Sequence, residues 1–184
     1  MPNKGRLIII SGPSGAGKGT VLKEVFESHE NICYSISATT RKPRVGEQDG
    51  VHYFFITKKS FEEKLARGEM LEHTVYCDNY YGTPADYVEK QRSEGFDVIL
   101  EIEPDGAGQV KSKCPDAISL FILPPSIGEL EKRLVNRGTE PPEVIAARIQ
   151  RAKEEILMAD QYDYQVVNDT VERAAMEINE ILNK

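Results

Sequence analysis

Gly12-Pro13-Ser14-Gly15-Ala16-Gly17-Lys18-Gly19-Thr20 follows the apolar run Arg6-Leu7-Ile8-Ile9-Ile10 and precedes Val21, Leu22, Val25 and Phe26 at helical spacing. Strand, glycine-rich loop, helix is the context in which this spacing binds phosphate. Glycine adopts backbone dihedrals closed to other residues, so the loop N–H groups can converge on an anion. A helix beginning near Lys18 adds the positive end of its dipole, and Lys18 is placed to reach the outer phosphates of a nucleotide. A flexible turn with a stray lysine would account for the loop but not for both flanks. One position departs from the pattern: Gly19 stands where a Ser or Thr magnesium ligand is usual, and Thr20 follows it. The Thr20 hydroxyl is then expected on an inner phosphate, with the metal held mainly by phosphates and water, as suits an ion that dehydrates reluctantly.

Further along, apolar runs at 6–10, 32–36, 98–102, 118–123 and 164–168 alternate with helical segments. Alternation of this kind predicts βαβ units and an α/β fold with a buried parallel sheet. Ser60 with Glu63, and Ser126 with Glu129, read as capping boxes. Thr83-Pro84 reads as a cap with proline in the first turn, and Gly95 and Gly138 as helix stops. Pro141-Pro142 opens a charged helix running to about Ala159, and Thr170 caps a last amphipathic helix with Ala174, Ile178, Ile181 and Leu182 on one face. The run 51–56 reads as a further strand inside a segment rich in Arg, Gly and Tyr.

The chain has 184 residues, enough for one well-buried core. Its formal net charge is −7, which argues against a general binder of nucleic acid or anionic membrane and requires any phosphate site to be built locally from clustered cations. Nothing resembles a secretory signal or a membrane-spanning run. Three cysteines, Cys33, Cys77 and Cys114, are odd in number and widely separated, which reads as reduced and cytoplasmic. His29, His52 and His73 share no metal-ligand spacing with them.

Residues 35–53 suggest a second anion site. Arg41 and Arg44 bracket a stiffening proline, and two forked guanidiniums held close together suit bidentate capture of phosphate. Tyr53, Tyr80 and Tyr81 offer hydroxyls. A basic surface loop is the competing account. Residues 126–160 carry Arg133, Arg137, Arg148 and Arg151. Such a run is either a solvated charged face or a lid that closes over nucleotide.

The phosphate loop, Ser37-Ala38-Thr39-Thr40-Arg41-Lys42-Pro43-Arg44-Val45-Gly46-Glu47, Asn79-Tyr80-Tyr81-Gly82-Thr83 and Glu101-Ile102-Glu103 together resemble the guanylate kinases, in the same order and over nearly the whole chain. The resemblance implies a P-loop NTPase-type five-stranded parallel sheet flanked by helices. It divides the chain into a core (1–36, 83–125 and 161–184), a GMP-binding insertion (37–82) and a lid (126–160). It also implies ATP-dependent phosphorylation of GMP, and of dGMP, in purine nucleotide synthesis and salvage, with Mg2+ accompanying ATP. A catalytically inactive interaction module of the same fold and a kinase for another nucleoside monophosphate are the alternatives. A monomer or small homo-oligomer is expected.

The family roles fall on particular positions. Gly12 to Thr20 would hold ATP, with Asn168 near its adenine or ribose. Lys18, Arg41, Arg137 and Arg148 would serve the transferring phosphoryl group. Arg41, Arg44, Tyr53 and Tyr81 would hold the GMP phosphate, with Glu47 orienting the arginines. Ser37, Glu72 and Thr83 would read the base. That assignment agrees with the chemistry, because guanine offers two N–H donors on one edge and a carboxylate accepts both. Adenine reverses the pattern, and such a polar mismatch can discriminate by ~10⁴. Glu101 and Glu103, two apart, read as one face of a strand end where ligands of open α/β sheets bind. They are expected as buried carboxylates on the GMP and magnesium side, acting through water. Pro104 and Asp105 depart from the family pattern.

Overall fold

The computed structural model describes residues 4–136 and 141–184. The first half of the chain runs β1 (Leu7–Ser11), α1 (Lys18–Glu27), β2 (Ile32–Tyr34), β3 (Ala38–Thr39), β4 (Phe54–Phe55), α2 (Lys58–Ala66), β5 (Met70–Tyr76), β6 (Asn79–Pro84) and α3 (Ala85–Ser93). The second half runs β7 (Asp97–Glu101), α4 (Pro104–Lys113), β8 (Ile118–Leu123), α5 (Ile127–Asn136), α6 (Pro142–Ile156), a 3-10 turn (Ala159–Gln161), β9 (Tyr164–Val167) and α7 (Val171–Leu182). The expected five-stranded parallel sheet forms in the order β2-β7-β1-β8-β9. Its strands are the five apolar runs, and every residue of β1 is buried, as a strand covered on both faces requires.

The chain divides into two compact units. The first holds Met1–Ile8, Asn31–Glu101 and Asp105–Ala117. Here Arg6 closes on Asp97, which accepts from the Arg6 backbone N–H at 2.6 Å and from its guanidinium at 2.6 and 3.0 Å. A second sheet, ordered β4-β3-β6-β5, packs Ala38 and Met70 with Phe61 of α2, flanked by Phe54, Ile56, Leu65 and Tyr80. Its β5–β6 hairpin closes through Cys77 and Asp78, at φ 47° and 61°. Two successive left-handed residues make the turn whose twist matches paired strands, although Cys-Asp is not a pair that announces it.

The second unit holds Ile9–Glu30, Ile102–Pro104 and Ile118–Lys184. Helix α1 buries Val21, Leu22 and Val25, and α7 buries Ala174, Ala175, Ile178, Ile181 and Leu182. Helices α5 and α6 share a small core of Leu130, Leu134 and Ala152, with Ile145 and Ile149 against it. The charged stretch 126–160 therefore has apolar stripes as well as a solvated face.

Several local expectations are corrected. The cap of α2 is Thr57, whose hydroxyl accepts from the Ser60 N–H at 3.1 Å, so the Ser60–Glu63 capping box does not form. Thr57→Ala is expected to cost about 1 kcal/mol in a urea melt. Thr83 lies in β6 and caps nothing; Pro84 takes the N-cap position of α3. The run 51–56 contributes only Phe54–Phe55 as strand. Helix α6 ends at Ile156, short of Ala159. Strand β7 stops at Glu101, so Glu103 lies beyond it, and both carboxylates are exposed and not buried. Pro104 opens α4, in the first turn, where its missing N–H has no partner to lose. The Ser126 cap of α5 forms, accepting from Glu129 N–H at 3.1 Å, as does the Thr170 cap of α7. Gly138 lies outside the described residues.

Candidate functional site

In the second unit, the loop after β1 turns on glycines in conformations that other residues rarely adopt. Gly15 and Gly17 have φ of 90° and 86°, and a Cβ on Gly17 would stand 2.5 Å from Asn168 Nδ2. Gly17 caps α1, so the first turn of that helix begins at Lys18. Lys18 Nζ donates to Gly12 O at 2.6 Å and to Pro13 O at 3.2 Å, which folds its cation over the loop it follows. Ser14, Gly19 and Thr20 are exposed, while Gly12, Pro13 and Ala16 are buried.

Two residues brace this loop from distant parts of the chain. Asn168, 3% exposed, donates from its amide to Ala16 O at 2.7 Å. Arg133 of α5 donates to Ala16 O at 3.4 Å and to Asn168 O at 3.2 Å. The Asn168 amide is thus engaged with the loop backbone. Arg133 was visible in the sequence only as one charge in a charged run; its place against the loop follows from the α5 fold. Arg148 is half-buried on α6, and Arg137 lies outside the described residues. Glu103 meets Arg151 of α6 at 2.9 Å, a pairing that sequence spacing does not indicate.

In the first unit, the segment after β3 makes a compact cationic turn. Glu47 N–H donates to Arg44 O at 3.0 Å, and Gly46 between them has φ 89°, a conformation that residues with side chains rarely adopt. The turn brings the Glu47 carboxylate onto Arg41 through two bonds of 2.9 and 3.0 Å, and onto the Arg44 N–H at 2.6 Å. The Arg41 guanidinium also lies over the Tyr53 ring, 5.5 Å from its centroid, and Tyr53 meets Tyr81 edge to face at 6.1 Å. Among the described residues, Arg41 Nε is buried with no hydrogen-bond partner, an uncommon state for a buried donor. The Arg41 guanidinium, and then the Arg44 N–H, hold the Glu47 carboxyl down to about 2. A carboxylate lowered in this way supports the turn at and above its ordinary range and releases it only as pH falls toward that value.

Nearby on the hairpin, Glu72 of β5 is 6% exposed and Thr83 of β6 fully buried. Thr83 Oγ1 donates to Glu72 Oε1 at 2.7 Å. A buried carboxylate is costly without donors, and the Thr83 hydroxyl is one of those that meet it. Ser37 is half-buried, and its carbonyl accepts from Phe54 N–H at 2.9 Å. Arg41, Arg44, Glu47, Tyr53 and Tyr81 are gathered by direct contacts, and Glu72 with Thr83 forms a second group on the hairpin.

Among the described residues, no group of three or more His, Cys, Asp or Glu could hold a metal ion, and no helix is long and apolar enough to cross a membrane.

The family model for guanylate kinase matches residues 4–184. The guanylate kinase of Streptococcus pneumoniae (strain ATCC BAA-255 / R6) is 56% identical over 176 residues, covering 95% of this chain and 85% of that protein. The guanylate kinase of Lactococcus lactis subsp. lactis (strain IL1403) is 54% identical over 182 residues, covering 99% and 89%. The crystal structure of guanylate kinase from Anaplasma phagocytophilum superposes with a TM-score of 0.75 at 32% identity, covering all of this chain and 87% of that one.

Proposed function

Because the chain belongs to the guanylate kinase family, we propose that it transfers the γ-phosphoryl group of ATP to GMP, and to dGMP, giving ADP and the nucleoside diphosphate. The observation that carries the choice of acceptor is the buried Glu72 carboxylate with the Thr83 hydroxyl on it. Guanine presents N1–H and the 2-amino group along one edge, and Glu72 accepts both; the Ser37 hydroxyl serves O6, since the single Thr83 proton is already given to Glu72. Arg41, Arg44, Tyr53 and Tyr81 hold the GMP phosphate, with the unpartnered Arg41 Nε among the donors. Gly12 to Thr20 cradle the ATP phosphates. Asn168 belongs to the ATP side by bracing the loop at Ala16.

The nucleophile is a phosphate oxygen of GMP. Its second ionisation lies near ~6, so it is largely deprotonated at neutral pH and needs no general base. What the protein must supply is in-line placement and relief of repulsion between two anions. Lys18 and the lid arginines Arg137 and Arg148 offset the charge on the transferred group while Arg41 and Arg44 fix the acceptor. Magnesium bound with ATP would neutralise charge on its phosphates; Glu101 or Glu103 would reach its shell through water, while Thr20 would donate to an inner phosphate. Closure of the lid and GMP-binding insertion excludes water that would otherwise hydrolyse ATP. A cytoplasmic monomer or small homo-oligomer fits the free cysteines and the nucleotide substrates.

The test is ADP release with ATP and Mg2+ against GMP, dGMP, AMP, UMP and CMP. Turnover confined to GMP and dGMP supports the reading, and failure to use GMP overturns it. The pH profile gives a second check. kcat/KM for GMP should fall about tenfold per unit below about pH 6, as the acceptor phosphate takes up its proton. The Arg41–Glu47 pair stays ionised throughout that window, because its carboxyl titrates only near about 2. A break well away from the phosphate ionisation would assign the limb to a protein group instead.

A further inference from the structure

Strand β5 is an edge of its sheet, and its register with β6 shifts between Met70, opposite Pro84, and Glu72, opposite Thr83. Leu71 is the extra residue. In an unbroken antiparallel register Leu71 would stand opposite Thr83, and Glu72 would move on to the next pair. The bulge is therefore what sets the carboxylate beside the hydroxyl, and re-aiming one side chain is a recurrent use of bulges.

A bulge on an edge strand leaves backbone groups without ladder partners. Helix α4 supplies them. Lys113 Nζ donates to Met70 O at 2.8 Å and to Leu71 O at 3.0 Å, the two carbonyls at the bulge. Gln109, one turn earlier on the same face, receives the His73 N–H on Oε1 and donates from Nε2 to His73 O, both at 3.1 Å. Its amide thus pairs with β5 as a neighbouring strand would. One further turn back, a Cβ on Gly106 would stand 3.0 Å from Glu72 Oε2. The α4 face touches β5 immediately before, at and immediately after Glu72.

We propose that Lys113 and Gln109 are positioning residues for base selection, locking the β5 bulge so that the Glu72 carboxylate meets the guanine edge. The proposal rests on the reading of Glu72 as the guanine acceptor. Lys113→Met removes the ammonium and keeps most of the stem; Gln109→Leu removes the amide clamp independently.

The assay compares GMP with IMP, a 6-oxopurine nucleotide that lacks the 2-amino donor. Each variant should raise KM for GMP by about tenfold with kcat nearly unchanged, as small misplacements of a binding group do. KM for ATP should hold, and the preference for GMP over IMP should shrink. Lys113→Arg, which still presents donors to both carbonyls, should restore much of the preference. A role in folding alone would lower the active fraction for both substrates and leave the GMP:IMP ratio unmoved; that ratio at the wild-type value in both variants overturns the proposal. If Lys113→Met does not fold, Gln109→Leu decides by the same ratio. Glu72→Gln run alongside separates the two levels. If it lowers the ratio while the α4 variants do not, only the positioning role falls; if it too leaves the ratio unchanged, the reading of Glu72 falls with it.

Discussion

Lys18→Ala is expected to lower kcat by about 10³-fold, the scale on which one preorganised cation or donor at a transferring phosphoryl group acts. The argument is electrostatic. Donor and acceptor phosphates repel as they approach, and in a chain of net charge −7 the relief has to come from cations next to the reacting atoms. On the proposed reading Lys18 is such a cation; its Nζ lies 2.6 Å from Gly12 O at the start of α1. The core does not depend on it: β1 and the apolar face of α1 formed by Val21, Leu22 and Val25 are buried without the lysine. A steady-state assay beside a thermal melt checks both halves. Turnover near the wild-type rate in a folded variant would remove the assigned role.

Glu72→Gln should reduce kcat/KM for GMP by about 10²-fold while leaving KM for ATP unchanged, because a buried donor facing another donor keeps its full desolvation cost. The glutamine is nearly isosteric, and its oxygen can still accept from Thr83, so the shape of the hairpin is preserved. What changes is the second oxygen, which becomes an N–H₂ group facing the N–H edge of guanine. Kinetics with GMP and ATP varied in turn separate the effects. An equal loss in both constants, or no change for GMP, would contradict base reading by this carboxylate.

The elements legible in the sequence are those whose signals are local. The phosphate loop announces itself through glycines required at φ near 90° and through its apolar and amphipathic flanks. The central sheet strands β7, β1 and β8 are apolar because both faces are covered. The Ser126 and Thr170 caps are hydroxyls three residues from the N–H groups they accept. By contrast, the capping box at Ser60 failed because Thr57 stands one turn earlier and takes the cap, and the hairpin at Cys77-Asp78 lacks the Asn-Gly chemistry that usually marks such turns. Glu101 and Glu103 looked like one strand face because two-residue spacing says nothing about where a strand stops.

Sequence alone thus determined the α/β class, the glycine loop between strand and helix, the arginine turn with its glutamate and the family to which the chain belongs, since each is signalled by local runs of residues. Only the tertiary structure decided that Asn168 reaches back to Ala16, that Arg133 braces the same loop, that Glu103 meets Arg151, and that a bulge clamped from α4 sets Glu72 opposite Thr83. These depend on strand register and on groups brought together from distant parts of the chain, and neither residue periodicity nor local propensity carries that information.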